Sequence, residues 1–213
     1  MTTPDSLVQV ANEVRVCVAC PLHRTRKNAV PGEGPADAPI MLIGEGPGFH
    51  EDQQGRPFVG ASGQFLTQLL ASAGFKREEV FIANVVKCRP PENRDPLPEE
   101  TQACGAYLER QIALINPKVI VTLGRHSMAK YFPGEKISAI HGKARKIGGK
   151  LIVPMFHPAA ALHQPALRQT VEEDFRKLKD IIAQASHQPD TKPIPPKNAD
   201  DAPEQLPVLN AEF

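Results

Sequence analysis

Ile40-Met41-Leu42-Ile43-Gly44-Glu45-Gly46-Pro47-Gly48 decides the fold. Its apolar half, stopped by glycine, has the length and flanks of a buried strand. The glycines behind it permit close backbone approach and exposed N–H groups that can hold a polar ligand. Working outward, the same punctuation recurs. Val80–Val86 reads as a second strand, Val119–Leu123 as a third, and Gly148-Gly149 can turn a hairpin into Lys150–Met155. Between them lies a helix that Ser62 can cap, with Phe65, Leu66, Leu69, Leu70 and Ala73 on one face and Gly74 at its end. Further helices are expected over Glu99–Ile115, from Gly124 to about Tyr131, and from about Arg168 to Ala183. Such alternation predicts an α/β fold, a mainly parallel sheet covered on both faces. In these sheets ligands sit outside the carboxyl ends of the strands. Gly44–Gly48, Asn84–Arg89, Gly124-Arg125 and Phe156-His157-Pro158 should therefore converge on one edge.

The 213 residues carry 25 Lys+Arg against 24 Asp+Glu, a net charge of +1, which excludes a strongly basic nucleic-acid coat. No apolar run approaches the length of a membrane span. The start, Met1-Thr-Thr-Pro-Asp-Ser-Leu-Val, lacks the order of a secretory signal, so a cytoplasmic, soluble protein is expected. The average hides a division. Ser186–Phe213 holds six of the 22 prolines and a net charge of −3, leaving about +4 on residues 1–185. The expectation is one folded domain over 1–185 and a disordered, Pro-rich acidic tail over 186–213.

Four cysteines in an intracellular chain suggest ligands or buried thiols rather than disulfides. Cys17-Val-Ala-Cys20 is a C-x2-C pair, whose thiolates can converge on one metal, and Cys88 and Cys104 follow. Cys104 falls on the apolar face of its helix and points inward. Zinc and iron–sulfur remain equal candidates on spacing, and buried free cysteines a third. The loop Gly44–Gly48 is not G-x-G-x-x-G, because position 49 is Phe, and no Lys-Ser/Thr of a P-loop follows. Glu45, Glu51 and Asp52 beside it suit water activation, or a merely solvated loop.

Gly44-Glu-Gly-Pro-Gly-Phe-His-Glu-Asp-Gln-Gln-Gly-Arg-Pro-Phe-Val-Gly60 resembles the first motif of the family 4 uracil-DNA glycosylases. Asn84-Val-Val-Lys-Cys-Arg-Pro-Pro-Glu-Asn93 and Met155-Phe-His-Pro158 are similar to the family's other signatures, in the same order and with all four cysteines placed alike. The resemblance runs from about Val14 to Lys179. It implies a three-layer αβα sandwich, a 4Fe–4S cluster on Cys17, Cys20, Cys88 and Cys104, and removal of uracil from single- or double-stranded DNA by a monomeric enzyme. Such an enzyme flips the nucleotide into a pocket. By the same resemblance Phe58 stacks on the base and Asn84 reads its polar edge, distinguishing uracil from cytosine. His157 hydrogen-bonds the uracil carbonyl as negative charge develops. Glu45 orients water, Gly46 offers only backbone, and Glu51 fills the space beside uracil C5, excluding thymine. The roles of Glu45 and Glu51 are interchangeable at this level.

Leu162 could wedge into the gap left by flipping. His163 stands where many relatives carry arginine, and Phe49-His50 where many carry acids. Phosphate contacts fall to Lys87, Arg89, Arg94 or Arg125, each equally readable as a solvated charge. A non-catalytic iron–sulfur or zinc DNA-binding module is the alternative, and a zinc-stabilised nucleotide hydrolase a third. A crosslinking relative carries a basic, His-containing insertion after the second motif. Here Val86-Lys87 runs straight into Cys88, which favours turnover. Gln205-Leu206-Pro207-Val208-Leu209 resembles the short peptides that dock bacterial repair proteins on the sliding clamp.

Overall fold

The computed structural model describes residues 5–187 and 189–191. Strands β1 (Ile40–Gly44), β2 (Phe81–Asn84), β3 (Val119–Leu123), β4 (Arg145–Ile147) and β5 (Lys150–Met155) form one sheet in the order β2-β1-β3-β5-β4. All neighbours run parallel except β4, which closes the sheet as an antiparallel hairpin on β5. The expected hairpin at Gly148-Gly149 is this one. β2 is shorter than the apolar run Val80–Val86, because Val85 and Val86 leave the ladder to bond the carbonyls of Gly44 and Glu45.

The helices are α1 (Leu7–Val16), α2 (Phe49–Gln54), α3 (Ala61–Ser72), α4 (Pro98–Ile115), α5 (Arg125–Ala129), α6 (Ile137–Ile140), α7 (Pro158–His163), α8 (Pro165–Arg176) and α9 (Leu178–Ala185). Strand period sorts the core into two layers. Leu42, Ile82, Val121 and Val153 pack with Leu66, Leu70 and Phe175 on one face. Met41, Phe81, Ile120 and Ile152 pack with Leu108, Ile112 and Met128 on the other. A central sheet thus lies between two helical layers, an αβα arrangement.

Two details of the helices depart from expectation. Gly60, not Ser62, is the N-cap of α3, and no side chain of its own caps it. The single last helix is two, broken at Lys177, which ends α8 and begins α9. α9 ends at Ala185, and Thr191 returns to the edge of β4, its N–H donating to Lys146 O at 2.9 Å. Most of the expected tail, including Gln205–Leu209, lies outside the described residues. Among the described residues no helix is long and apolar enough to cross a membrane.

Candidate active site and cysteine centre

Three of the four segments expected at the carboxyl edge line one cleft of about 420 Å³. Glu45, Gly46, Pro47 and Gly48 enter from β1, Asn84 from β2, and His157 from β5, with Glu51, Phe58, Ser62, Asn93, Asp95 and His163 completing the wall. Gly124 backs the cleft instead: a Cβ there would lie 3.1 Å from His157 Cβ.

Asn84 ends β2 and is buried, yet its Oδ1 accepts no hydrogen bond. Buried acceptors are ordinarily satisfied, so an orphan in a cleft marks a place for a ligand donor. Its backbone is held from behind: Lys87 Nζ donates to Asn84 O at 2.9 Å and to Gln111 Oε1 at 2.7 Å. Gln111 in turn donates to Pro31 O. Lys87 is thus not a phosphate contact; it is fully buried, and burial lowers its pKa to about 8. A Cβ on Gly44 would strike Asn84 Oδ1 and come within 2.7 Å of the Phe58 ring. Glycine is therefore required where strand, amide and ring meet.

Phe58 sits in the left-handed region, φ 51°, with its ring buried. Glu51 secures that turn, its Oε1 accepting from Val59 N at 2.8 Å and Gly60 N at 2.9 Å. The carboxylate thus pins the two residues that lead into α3, Val59 and the N-cap Gly60. The Phe58 ring stacks on His157, centroids 5.6 Å apart.

His157 is the N-cap of α7, and its Nδ1 accepts from Ala159 N at 3.1 Å. That bond assigns the proton of the neutral ring to Nε2. Burial pushes the imidazole down to about 4, against the opposing pull of Glu51. The ring is thus a neutral donor.

Glu45 is in the opposite condition. Burial, then the neighbouring Asp95 charge, raise it to about 7, with Arg125 opposing. His126 Nε2 lies 3.8 Å from Glu45 and 3.4 Å from Asp95, and Arg125 pairs with Asp95. Asp95 and His126 escaped the sequence reading. Their signal was only adjacency to the Asn84–Arg89 and Gly124-Arg125 segments. Leu162 is exposed on α7, beside cleft-lining His163. Arg94 is ion-paired with Glu100 at 2.7 Å.

On the opposite side of Lys87 all four cysteines line a second, small pocket with Val14, Arg26 and Tyr107. Cys88 and Cys104 are buried. Arg26 Nη1 donates to Cys88 Sγ at 3.0 Å, Lys87 N to Cys104 Sγ at 3.2 Å, and Ala19 N to Cys17 Sγ at 3.4 Å. N–H donors aimed at sulfur suit thiolate ligands.

The profile of the Uracil DNA glycosylase superfamily matches residues 31–179. This chain belongs to that superfamily. Within it the chain resembles type-4 uracil-DNA glycosylases. It is 50% identical to that of Sulfurisphaera tokodaii, over 83% of this chain and 85% of the relative. It is likewise 50% identical to that of Saccharolobus solfataricus, over 84% and 88%. It is 48% identical to that of Thermotoga maritima, over 85% and 98%. The superfamily match spans the whole cleft, from the segment before β1 to the start of α9.

Proposed function

We propose that the chain is a uracil-DNA glycosylase, hydrolysing the bond between deoxyribose C1′ and uracil N1 to leave an abasic site and so to begin base-excision repair. The observation that carries this reading is the buried, unpartnered Asn84 Oδ1 beside the Phe58 ring. Uracil offers N3–H to that acceptor and O4 to the amide donor, whereas cytosine presents the reverse pattern. A site built to pair a donor discriminates strongly against a base lacking it.

Phe58 gives the flipped base a stacking face, an interaction of about 1–3 kcal/mol. As the C1′–N1 bond breaks, its electron pair moves into uracil, and His157 Nε2–H donates to the carbonyl where the charge gathers. A preorganised donor of this kind supplies roughly 3–4 kcal/mol. The bond from Ala159 N to Nδ1 fixes Nε2 as the nitrogen that faces the anion. Water adds to C1′ and gives its proton to Glu45, whose pKa near 7 suits a base at neutral pH. Gly46 keeps this wall to backbone alone. Glu51 stands beside uracil C5 and leaves no room for thymine's methyl. The two hydrogen bonds already engaging its Oε1 favour Glu51 as the structural member of the pair. Leu162 fills the base gap and His163 meets the strand.

Cys17, Cys20, Cys88 and Cys104 are fitted, by an all-sulfur donor set lining one small pocket, to hold a 4Fe–4S cluster. Such a group supplies a structural staple between the N-terminal segment, the Cys88 loop and α4. The enzyme is cytoplasmic and acts as a monomer on uracil-containing DNA, with Gln205–Leu209 as a docking peptide for the sliding clamp. Equal clamp retention by the full chain and by one ending at Pro203 would remove that last element.

The test is cleavage of abasic sites after incubation with oligonucleotides carrying uracil, thymine or cytosine at one position. Product from uracil alone is expected; no product from uracil would defeat the reading.

A further inference from the structure

The mouth of the cleft carries a pair of side chains that uracil chemistry does not use. Phe49, the first residue of α2, follows cleft-lining Gly48 and is 52% exposed. The Arg89 guanidinium stands 5.3 Å from its ring centroid, and His50 meets the ring edge-on at 5.4 Å. Arg89 is itself held, its Nε donating to Asn93 Oδ1 at 2.7 Å, and Asn93 and Pro90 line the same cleft. The pair thus joins the loop after β1 to the loop after β2 across the rim.

Its charge is available. Arg94 is paired with Glu100, Arg125 with Asp95, and Lys87 is buried. Among the described residues Arg89 makes no ion pair, so its fork keeps capacity for a phosphate. An exposed aromatic ring held by a cation is the arrangement that binds unpaired nucleic acid: the ring takes a base, the cation the backbone. A base inside a duplex is already stacked on its neighbours and would have to leave them to reach the ring.

We propose that Phe49 and Arg89 form a subsite for the unpaired nucleotide adjoining the flipped uracil, its base stacked on Phe49 and its phosphate on Arg89. The subsite gives the enzyme a preference for single-stranded over duplex DNA. The subsite rests on the uracil reading for what lies in the cleft, but its own binding can be measured without uracil.

The chain contains no tryptophan, so Phe49→Trp installs a single indole reporter. A uracil-free single-stranded oligonucleotide should quench its emission about twofold or more at saturation, and the matching duplex should leave it nearly unchanged. Unchanged emission with the single strand, or equal quenching by both, would overturn the subsite. Independently, Phe49→Ala should raise KM for single-stranded uracil substrate about tenfold and for duplex substrate less than twofold. Equal shifts on the two substrates, or none, would overturn it as well. Arg89→Gln should flatten the salt dependence of single-strand binding by about 0.7 in logarithmic slope; an unchanged slope would remove Arg89 from the phosphate role. Quenching without uracil release by the wild-type chain would refute the glycosylase reading and leave the subsite standing. Release without quenching would do the reverse.

Discussion

Burial raises Glu45 to about 7 and lowers His157 to about 4, so between about pH 5 and 8 only the carboxylate changes state. A base must be deprotonated to take a proton from water. The single-turnover rate should therefore climb about tenfold per pH unit below 7 and level off above it. In Glu45→Gln the profile should flatten, with the rate at neutral pH about a hundredfold lower. A wild-type plateau persisting to pH 5 would remove Glu45 from the role. Asn84 makes a different prediction. Its Oδ1 has no partner in the free protein, so Asn84→Ala sacrifices no hydrogen bond at that atom when the chain folds. Uracil excision should fall at least a hundredfold while the melting temperature stays level or rises; a large loss of stability would show that the amide is structural. Asn84, Phe58 and His157 were legible because each stands in a local motif. Lys87 was misread because a lone lysine carries no mark of burial. Asp95 and His126 reach Glu45 only through the folded chain.

The strands were legible as short apolar runs ended by glycine or polar loops, and the placing of β1 between β2 and β3, parallel to both, follows the topology they imply. Short helices were less so: the one after Gly124 is α5 as expected, but α2 and α7 were not foreseen. α2 and α7 have six residues each, too few for a hydrophobic period to show. α3 starts earlier than Ser62 suggests, because Ser62 lies in its first turn and Gly60 is the N-cap. Ser62 suits a cap by type, but the turn into α3 is fixed before it, where Glu51 holds the N–H groups of Val59 and Gly60. Removing that carboxylate leaves two donors unpaired behind the Phe58 turn. Glu51→Ala should destabilise the protein by about 2 kcal/mol, with Glu51→Gln milder, as read by denaturant unfolding. Stability equal to wild type would mean that the turn holds without it.

At the scale of the whole molecule, α1 is tied to α4 by Arg110, which pairs with both Asp5 and Glu13, and by the cysteine pocket that Val14 shares. The cysteines therefore join an N-terminal segment to Lys87, whose N–H donates to Cys104 Sγ and whose Nζ donates to Asn84 O. If the proposed cluster is the staple, chelation or Cys17→Ser should abolish absorbance near 400 nm (about the range of thiolate-bound iron–sulfur clusters) and expose α1 to proteolysis first. Identical protease maps with and without the metal would contradict the staple. Residues 1–185 are modestly cationic, and Arg56, Arg94 and Arg125 are already ion-paired, so DNA contact should be transient and weaken steeply with salt.

If this cleft releases uracil by hydrolysis, the enzyme turns over. Purified protein incubated with excess uracil-containing DNA, with free base quantified by chromatography, tests it most directly. Many equivalents of free uracil per protein are expected, matched one for one by abasic sites. Uracil left in the DNA, or a single equivalent locked in a protein–DNA adduct, would contradict it.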